Sequence, residues 1–355
     1  IICISRSIYS HRGYAEPDNA FEFCKCENAY QFLTNGLRLD VDCIPYNADE
    51  DVYWNILASK VNIVNFRFEK FFNEQFGIFN LADYKIFFEI WFKNKEPFMR
   101  WLLLKYYVQK FCDKGYICRV LQQLDGYSDA AFAKALALTI FSLDDQESYL
   151  EERNEGLKQG AKNGMELTPD VQAYLIEKIR NVETRMGVLS AIKYVSCLSY
   201  AEKALVIEWY RDGKFAKEDL RNIYPDLYYY IGRTVASVED TWVLDYMDKY
   251  KEAKIRNTYT DEVRNYILTK NQNYVEHFKW SNKFSTTRTL LSTRSDIQYY
   301  LWIDGLGVDW IPFICQIVKE HESEGYYVNE VYVATAKVPT RTDINKADIQ
   351  LLSGG

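Results

Sequence analysis

Proline and glycine are scarce in this chain, at 7 Pro and 16 Gly among 355 residues. That scarcity argues against a turn-rich β architecture and for long helices. Long apolar runs are missing as well. Stretches such as Trp101-Leu102-Leu103-Leu104 and Ala135-Leu136-Ala137-Leu138 fall well short of the roughly 20 residues that span a bilayer, so the chain reads as soluble, with no membrane partner. There is no block of five or six like charges, and 43 Lys plus Arg stand against 50 Asp plus Glu for a net charge of −7. This balance speaks against a non-specific hold on nucleic acid over the whole surface and leaves only a local basic groove for such a partner. Histidine is limited to His11, His277 and His321. The 8 cysteines are dispersed, as in a reduced protein and unlike a disulfide framework. The start, Ile1-Ile2-Cys3-Ile4-Ser5-Arg6, lacks an initiator Met and the pattern of a secretory signal; the expectation is a trimmed tag or a piece of something larger.

Aromatic residues, in contrast, are plentiful: 29 Tyr, 20 Phe and 8 Trp. They suit many helix-packing layers with amphipathic tyrosines at the edges. A chain of this length is expected to hold two or three structural units. Residues 1–80 read as a small irregular or α/β segment, with strand-like alternation over 37–44 and 61–68 and a helix over 52–59 between them. Residues 81–292 read as a helical domain. Pro97 opens a helix whose Phe98, Trp101, Leu102 and Tyr106 lie on one side and Leu103, Leu104, Tyr107 and Val108 on the other, so burial nearly all round is expected. Ser128 caps a helix over 129–140, and Ser142 is expected to open another over 144–160. Thr168-Pro169-Asp170 starts a helix with the apolar stripe Val171, Leu175, Ile179 and Val182. Further helices are expected at 187–196, 200–211, 241–255, 261–279 and 284–291, with no fixed repeat period.

Residues 293–355 change pattern to strand, helix, strand. A strand-like run over 297–303 closes on Asp304; Ile311, Ile314, Cys315 and Val318 mark one face of a helix that Gly325 ends; residues 328–333 alternate again. The second run leads to Pro339-Thr340-Arg341-Thr342-Asp343-Ile344-Asn345. Two parallel strands joined by a right-handed helical crossover place both polar ends on one sheet edge, where open α/β domains build their sites. An acid able to hold a cation then faces a hydroxyl able to attack. A threonine hydroxyl needs a base or a metal to become a nucleophile near neutral pH. A position at the first turn of a helix adds backbone N–H groups for a phosphoryl oxygen.

Asp304-Gly305-Leu306-Gly307 after a hydrophobic run, followed by the 339–345 motif, resembles the start of an alkaline-phosphatase-superfamily domain of the PglZ type, found in bacterial BREX phage-defence systems. The run Phe278-Lys279-Trp280-Ser281 and Thr287-Arg288-Thr289-Leu290-Leu291 is similar to the same family. The resemblance covers about 60 residues closely, and the helical part in outline. It implies a mainly α fold in which a multi-helical N-terminal region precedes the first βαβ unit of an α/β domain. It implies further that Asp304 is a metal ligand, that Thr342 is the nucleophile and also meets the metal, and that Asn345 holds phosphate oxygens. The cofactor implied is a divalent metal such as Zn. The implied setting is a cytoplasmic protein working with a methyltransferase and an ATPase on a phosphate ester. Further Asp and His ligands of that superfamily have no counterpart in the chain, so this fragment alone is expected to be catalytically silent. The rival expectation is a non-catalytic scaffold whose helical region docks partner proteins; a third is a nucleic-acid-binding module.

Each signal has a plainer reading. Asp304, Thr340 and Thr342 also suit helix caps, and Arg341 a surface position. Cys24-Lys25-Cys26 with Cys3, His11 and Cys43 has enough donors for zinc, yet the spacing fits no regular finger and unpaired thiols explain it equally. His277 and His321 suit packing or surface roles. Tyr228-Tyr229-Tyr230 reads as core, because its nearest charges, Asp226 and Arg233, do not make a basic lining.

Overall fold

The computed structural model describes residues 24–39, 41, 44–61, 66–77, 81, 83–111, 115–196, 198–238, 240–272, 285–292, 299, 301, 303 and 306–336. These are mainly helical, and no β-strand occurs among them. The chain divides into two compact units, Ile1–Val171 and Gln172–Gly355.

The first unit is built from α1 (Asp51–Lys60), α2 (Phe68–Phe76), α3 (Tyr84–Lys93), α4 (Pro97–Phe111), α5 (Tyr116–Gln122), α6 (Asp129–Leu138) and α7 (Leu150–Lys162). Short polar side chains set the starts. Asp83 accepts the Lys85 amide and Ser128 the Ala131 amide, each satisfying a donor that a helix N-terminus leaves open. Helix α4 is buried on nearly every side, at Phe98, Arg100, Trp101, Leu102, Leu103, Tyr106 and Tyr107. Helix α3 lies along α7, and Gly156 of α7 makes that approach feasible, because a Cβ there would sit 2.3 Å from the Phe88 ring. Core residues are dominated by rings: Trp91 on Phe132 at 4.4 Å, Trp54 on Trp101 at 5.2 Å and Phe72 on Tyr106 at 3.9 Å.

Three expectations here are corrected. Residues 37–44 do not form a strand where described: Leu37 caps the helical turn Phe32–Gly36, Arg38 takes a left-handed φ of 51°, and the Leu39 and Ile44 amides donate to Leu33 O and Val41 O. The alternating Leu39 and Val41 are buried by a local turn instead. Of residues 61–68, those described are irregular up to Arg67, and Phe68 already begins α2. The helix expected at 144 starts at Leu150, because Asp145 takes the Ser148 hydroxyl at 2.6 Å and diverts the chain into a 3₁₀ turn, Glu147–Tyr149.

Helix α8 (Pro169–Met186) begins where Thr168-Pro169-Asp170 predicts and buries Val171, Leu175, Ile179 and Val182. The second unit continues with α9 (Tyr200–Arg211), α10 (Leu220–Ile223), α11 (Pro225–Tyr230), α12 (Trp242–Arg256), α13 (Asp261–Gln272), α14 (Thr287–Ser292) and α15 (Ile311–Glu320). Helix α9 carries a capping box, in which Ser199 and Glu202 bind each other's backbone, a strong local start signal. Helix α12 packs against α9 and α13, and α15 against α11. Residues 328–333 make no strand; Tyr332 forms a single parallel bridge to Ser237, through Ser237 N to Val331 O at 2.7 Å and Val333 N to Ser237 O at 3.1 Å. The neighbouring strand-like run, 297–303, lies mostly outside the described residues. No helix among the described residues is long and apolar enough to cross a membrane.

Candidate functional site

Asp304, Thr342 and Asn345 lie outside the described residues, as do Thr340, Arg341 and the run 278–281. The segment joining the two motifs is described. Gly307 leads through a 3₁₀ turn, Val308–Trp310, into α15, with Pro312 in its first turn, and Gly325 stops the segment at a φ of 92°. Only glycine takes that φ without strain. Asp309 fixes the entrance: its Oδ2 accepts from the Tyr230 hydroxyl at 2.8 Å and lies 3.5 Å from Lys254 Nζ. Trp310 closes on the Tyr230 ring at 4.8 Å. Burial, then the bond to Asp309, pushes the Tyr230 phenol up to about 12, so Tyr230 stays a neutral donor at physiological pH.

A second constellation surrounds α12. A cleft of about 730 Å³ opens among the end of α9, the loops at 217 and 231–233, the outer side of α12 and the start of α13. Its basic lining is Arg211, Lys217, Arg233, Lys249 and Arg256; its acids are Asp248, Glu252 and Glu262. Each acid is already engaged. Asp248 Oδ1 accepts the Thr234 amide at 2.9 Å and hydroxyl at 2.7 Å and pairs with Lys251 at 2.9 Å. Glu252 accepts from Tyr210 at 2.9 Å and from Arg256 at 2.6 Å, and Glu262 holds Lys249.

Beneath the cleft the Lys251 side chain is fully buried. Its ammonium donates to Gly232 O and to Thr234 Oγ1. Lys217 donates to Ile231 O at 2.6 Å. Two lysines therefore clamp consecutive carbonyls of the loop that carries Arg233. Burial holds the Lys251 amine below its ordinary value, with Asp248 opposing that shift, as expected for a cation removed from water and paired.

Other sequence-derived candidates fall elsewhere. His321 is exposed and pairs with Glu324 at 2.9 Å. Cys24 and Cys26 lie 3.8 Å apart, Sγ to Sγ, near the surface, while Cys3, His11 and Cys43 lie outside the described residues. No group of three or more His, Cys, Asp or Glu able to hold a metal occurs among the described residues. Tyr230 is buried, and Tyr228 packs edge-on to Tyr229 at 5.4 Å. Arg233, read from sequence as a charge without basic neighbours, lies on the cation-rich cleft. The cleft itself was missed because its residues come from five separate segments. The signal that points to it is four cations, Lys249, Lys251, Lys254 and Arg256, within residues 249–256. Compared with known proteins, the chain matches no family model, no curated protein and no solved structure.

Proposed function

We propose that this chain is the N-terminal portion of a PglZ-type metal-dependent phosphatase or phosphodiesterase of a bacterial, cytoplasmic phage-defence complex. Its helical region leads into the first βαβ unit of the hydrolase domain. The observation that carries the reading is the order of the motifs: an apolar run closing on Asp304, an amphipathic crossover helix, then Pro339-Thr340-Arg341-Thr342-Asp343-Ile344-Asn345. Helix α15 follows Asp304 and precedes Pro339 in the chain, the order a crossover helix has in this reading. None of its residues is fully buried, and Tyr299 and Leu301 are 89% and 86% exposed. Such faces suit elements that a larger sheet covers.

In this reading the Thr342 hydroxyl attacks the phosphorus of a phosphate ester, the alcohol leaves, and water resolves the phospho-threonine. Asn345 orients the phosphoryl oxygens. Asp304 and Thr342 are two hard oxygen donors, short of the four ligands a zinc ion takes, and no described residue is assigned to the rest. A bound divalent cation supplies Lewis acidity and favours the alkoxide. The partners are a methyltransferase and an ATPase of the same complex. A scaffold reading is favoured by the same exposed apolar residues, which also suit a docking partner.

The test is hydrolysis of bis-p-nitrophenyl phosphate by the full product of the gene with added Zn²⁺. Thr342→Ala is expected to abolish turnover with the helical circular dichroism unchanged. Activity that survives this substitution removes the assigned nucleophile, and a wild-type protein with no activity on any phosphate ester favours the scaffold.

A further inference from the structure

We infer that the cleft over α12 is a binding site for a small, multiply charged phosphate compound of the oligophosphate class. The inference rests on described residues alone and does not depend on the role given to Thr342.

The charge arrangement is the first support. Five basic side chains line the cleft against three carboxylates, and all three carboxylates are spoken for: Asp248 by Thr234 and Lys251, Glu252 by Tyr210 and Arg256, Glu262 by Lys249. Arg233 is exposed and has no carboxylate partner among the described residues. Lys217 has given one donor to Ile231 O and keeps two. Arg211 pairs with its neighbour Asp212 at 3.6 Å with both groups about half exposed, a pairing worth little in water, and acts weakly on Glu208, which Arg180 already holds. Three cations with spare donors thus converge on one concavity, and the planar guanidinium fork suits bidentate recognition of phosphate.

Preorganisation is the second. The buried Lys251 and Lys217 hold Gly232 O and Ile231 O, so the loop bearing Arg233 is fixed before any ligand arrives. A clamp of this kind reduces the ordering cost of binding. The volume, about 730 Å³, falls within the range of small-ligand sites, roughly 300–1,000 Å³.

The lining also selects the ligand class. Its apolar side chains are Ile231, Ala253 and Val263, and no aromatic ring lines it. A channel for single-stranded nucleic acid stacks bases on aromatic side chains, and this cleft offers no such platform. Recognition therefore falls on the phosphate groups.

The experiment is calorimetric titration of the whole chain with sodium tripolyphosphate, with ATP and with a fifteen-residue thymidine oligonucleotide, each at low and at physiological salt. Tripolyphosphate is expected to bind with one-to-one stoichiometry, more weakly at higher salt. Arg233→Gln is expected to weaken it about 10-fold, the scale of one lost charge-assisted contact. Arg221→Gln, an exposed cation outside the lining, is expected to leave it unchanged. Equal affinity for tripolyphosphate and ATP assigns recognition to the phosphate chain; tighter ATP binding that Arg233→Gln also weakens assigns a nucleoside-linked source to the same site. Because Arg233 is exposed and has no carboxylate partner among the described residues, Arg233→Gln is expected to melt like wild type, which keeps the result readable. The inference is overturned by absence of tripolyphosphate binding at millimolar concentration, by equal losses in Arg233→Gln and Arg221→Gln, or by an oligonucleotide that binds more tightly than either phosphate compound.

Discussion

The two units bury their large residues in different ways. In the first, tryptophans are packed as hydrocarbon: Trp54, Trp91 and Trp101 are fully buried, and their indole N–H groups find no acceptor among the described residues. Leaving such a donor unbound costs on the order of 1–3 kcal/mol. The ring packing around them outweighs it, with Trp101 contacting Tyr53, Trp54 and Phe98 at 5.2–5.8 Å. In the second unit Trp242 packs among rings too, against Tyr246 and Tyr266 at 6.2 Å. Trp209, however, is as buried as the first-unit tryptophans and its N–H meets Glu183 at 2.9 Å, and Glu183 in turn shares Arg180 with Glu208. Buried charged groups of the first unit hold backbone, and Arg100 also pairs with Asp129. Arg153 donates to Ala137 O, and Glu152 accepts the Tyr116 and Ile117 amides at the start of α5. In the second unit Lys251 and Lys217 hold Gly232 O and Ile231 O, while Asp248, Glu252 and Glu262 pair with cations, and this set borders the cleft. The contrast lies in where the charges gather: those of the second unit include a set collected on one concavity, the expectation for a functional surface.

The largest effect that can break this comparison is truncation of a ring in the first unit. Trp101→Ala removes an entirely buried side chain from the middle of α4 and is expected to cost about 3–5 kcal/mol, through lost transfer energy and a residual cavity. Urea unfolding combined with hydrogen exchange over residues 51–111 measures it. A loss below about 1 kcal/mol would mean that the ring stack is not where the cohesion of this unit lies.

The next effect tests the second unit. Lys251→Met leaves Asp248 with its two Thr234 donors but uncovers Gly232 O, and a cost of about 2–3 kcal/mol is expected, somewhat below that of breaking a wholly buried pair. The pH dependence has a definite sign. Burial sets the folded pKa of Lys251 below its ordinary 10.5, so the unfolded chain binds more protons in the alkaline window ending near that value. Its contribution to stability therefore rises with pH across that window. Subtracting the pH profile of Lys251→Met from that of wild type should leave this rise; a flat or falling difference would mean burial does not lower the proton affinity of this amine.

Much of the helical framework is legible from sequence because its signals are local. Ser128 and Thr168-Pro169 mark starts, the stripe from Val171 to Val182 fixes a buried face, and Gly325 marks an end. Three features were hidden for physical reasons. Helices α10 and α11 are too short, at 4 and 6 residues, to show a period. Alternation at 37–44 is shared by strands and by buried turns, and Arg38 at a left-handed φ decides for the turn. The cleft depends on contacts between residues far apart in the chain, such as Lys217 with Ile231 and Glu252 with Tyr210, which no window of sequence reports. The motif residues Asp304, Thr342 and Asn345 are read from sequence alone, because they lie outside the described residues.

The smallest expected effect sharpens the comparison at its most informative place. Tyr230→Phe keeps the ring against Trp310 and removes only the hydroxyl that donates to Asp309. Asp309 retains Lys254 at 3.5 Å, so the loss is expected to be about 1 kcal/mol, that of one hydrogen bond with a remaining partner. The substitution also separates packing from charge at the entrance to α15, only five residues beyond Asp304. If charge linkage holds this entrance, amide protection at Ile311–Glu320 falls in Tyr230→Phe, and the double variant with Lys254→Met loses more than the two single variants predict from their sum, because the second change strips the carboxylate of its last partner. If ring packing alone holds it, the single and double variants melt within a few tenths of a kcal/mol of wild type, and the entrance to α15 belongs with the first unit's mode of cohesion.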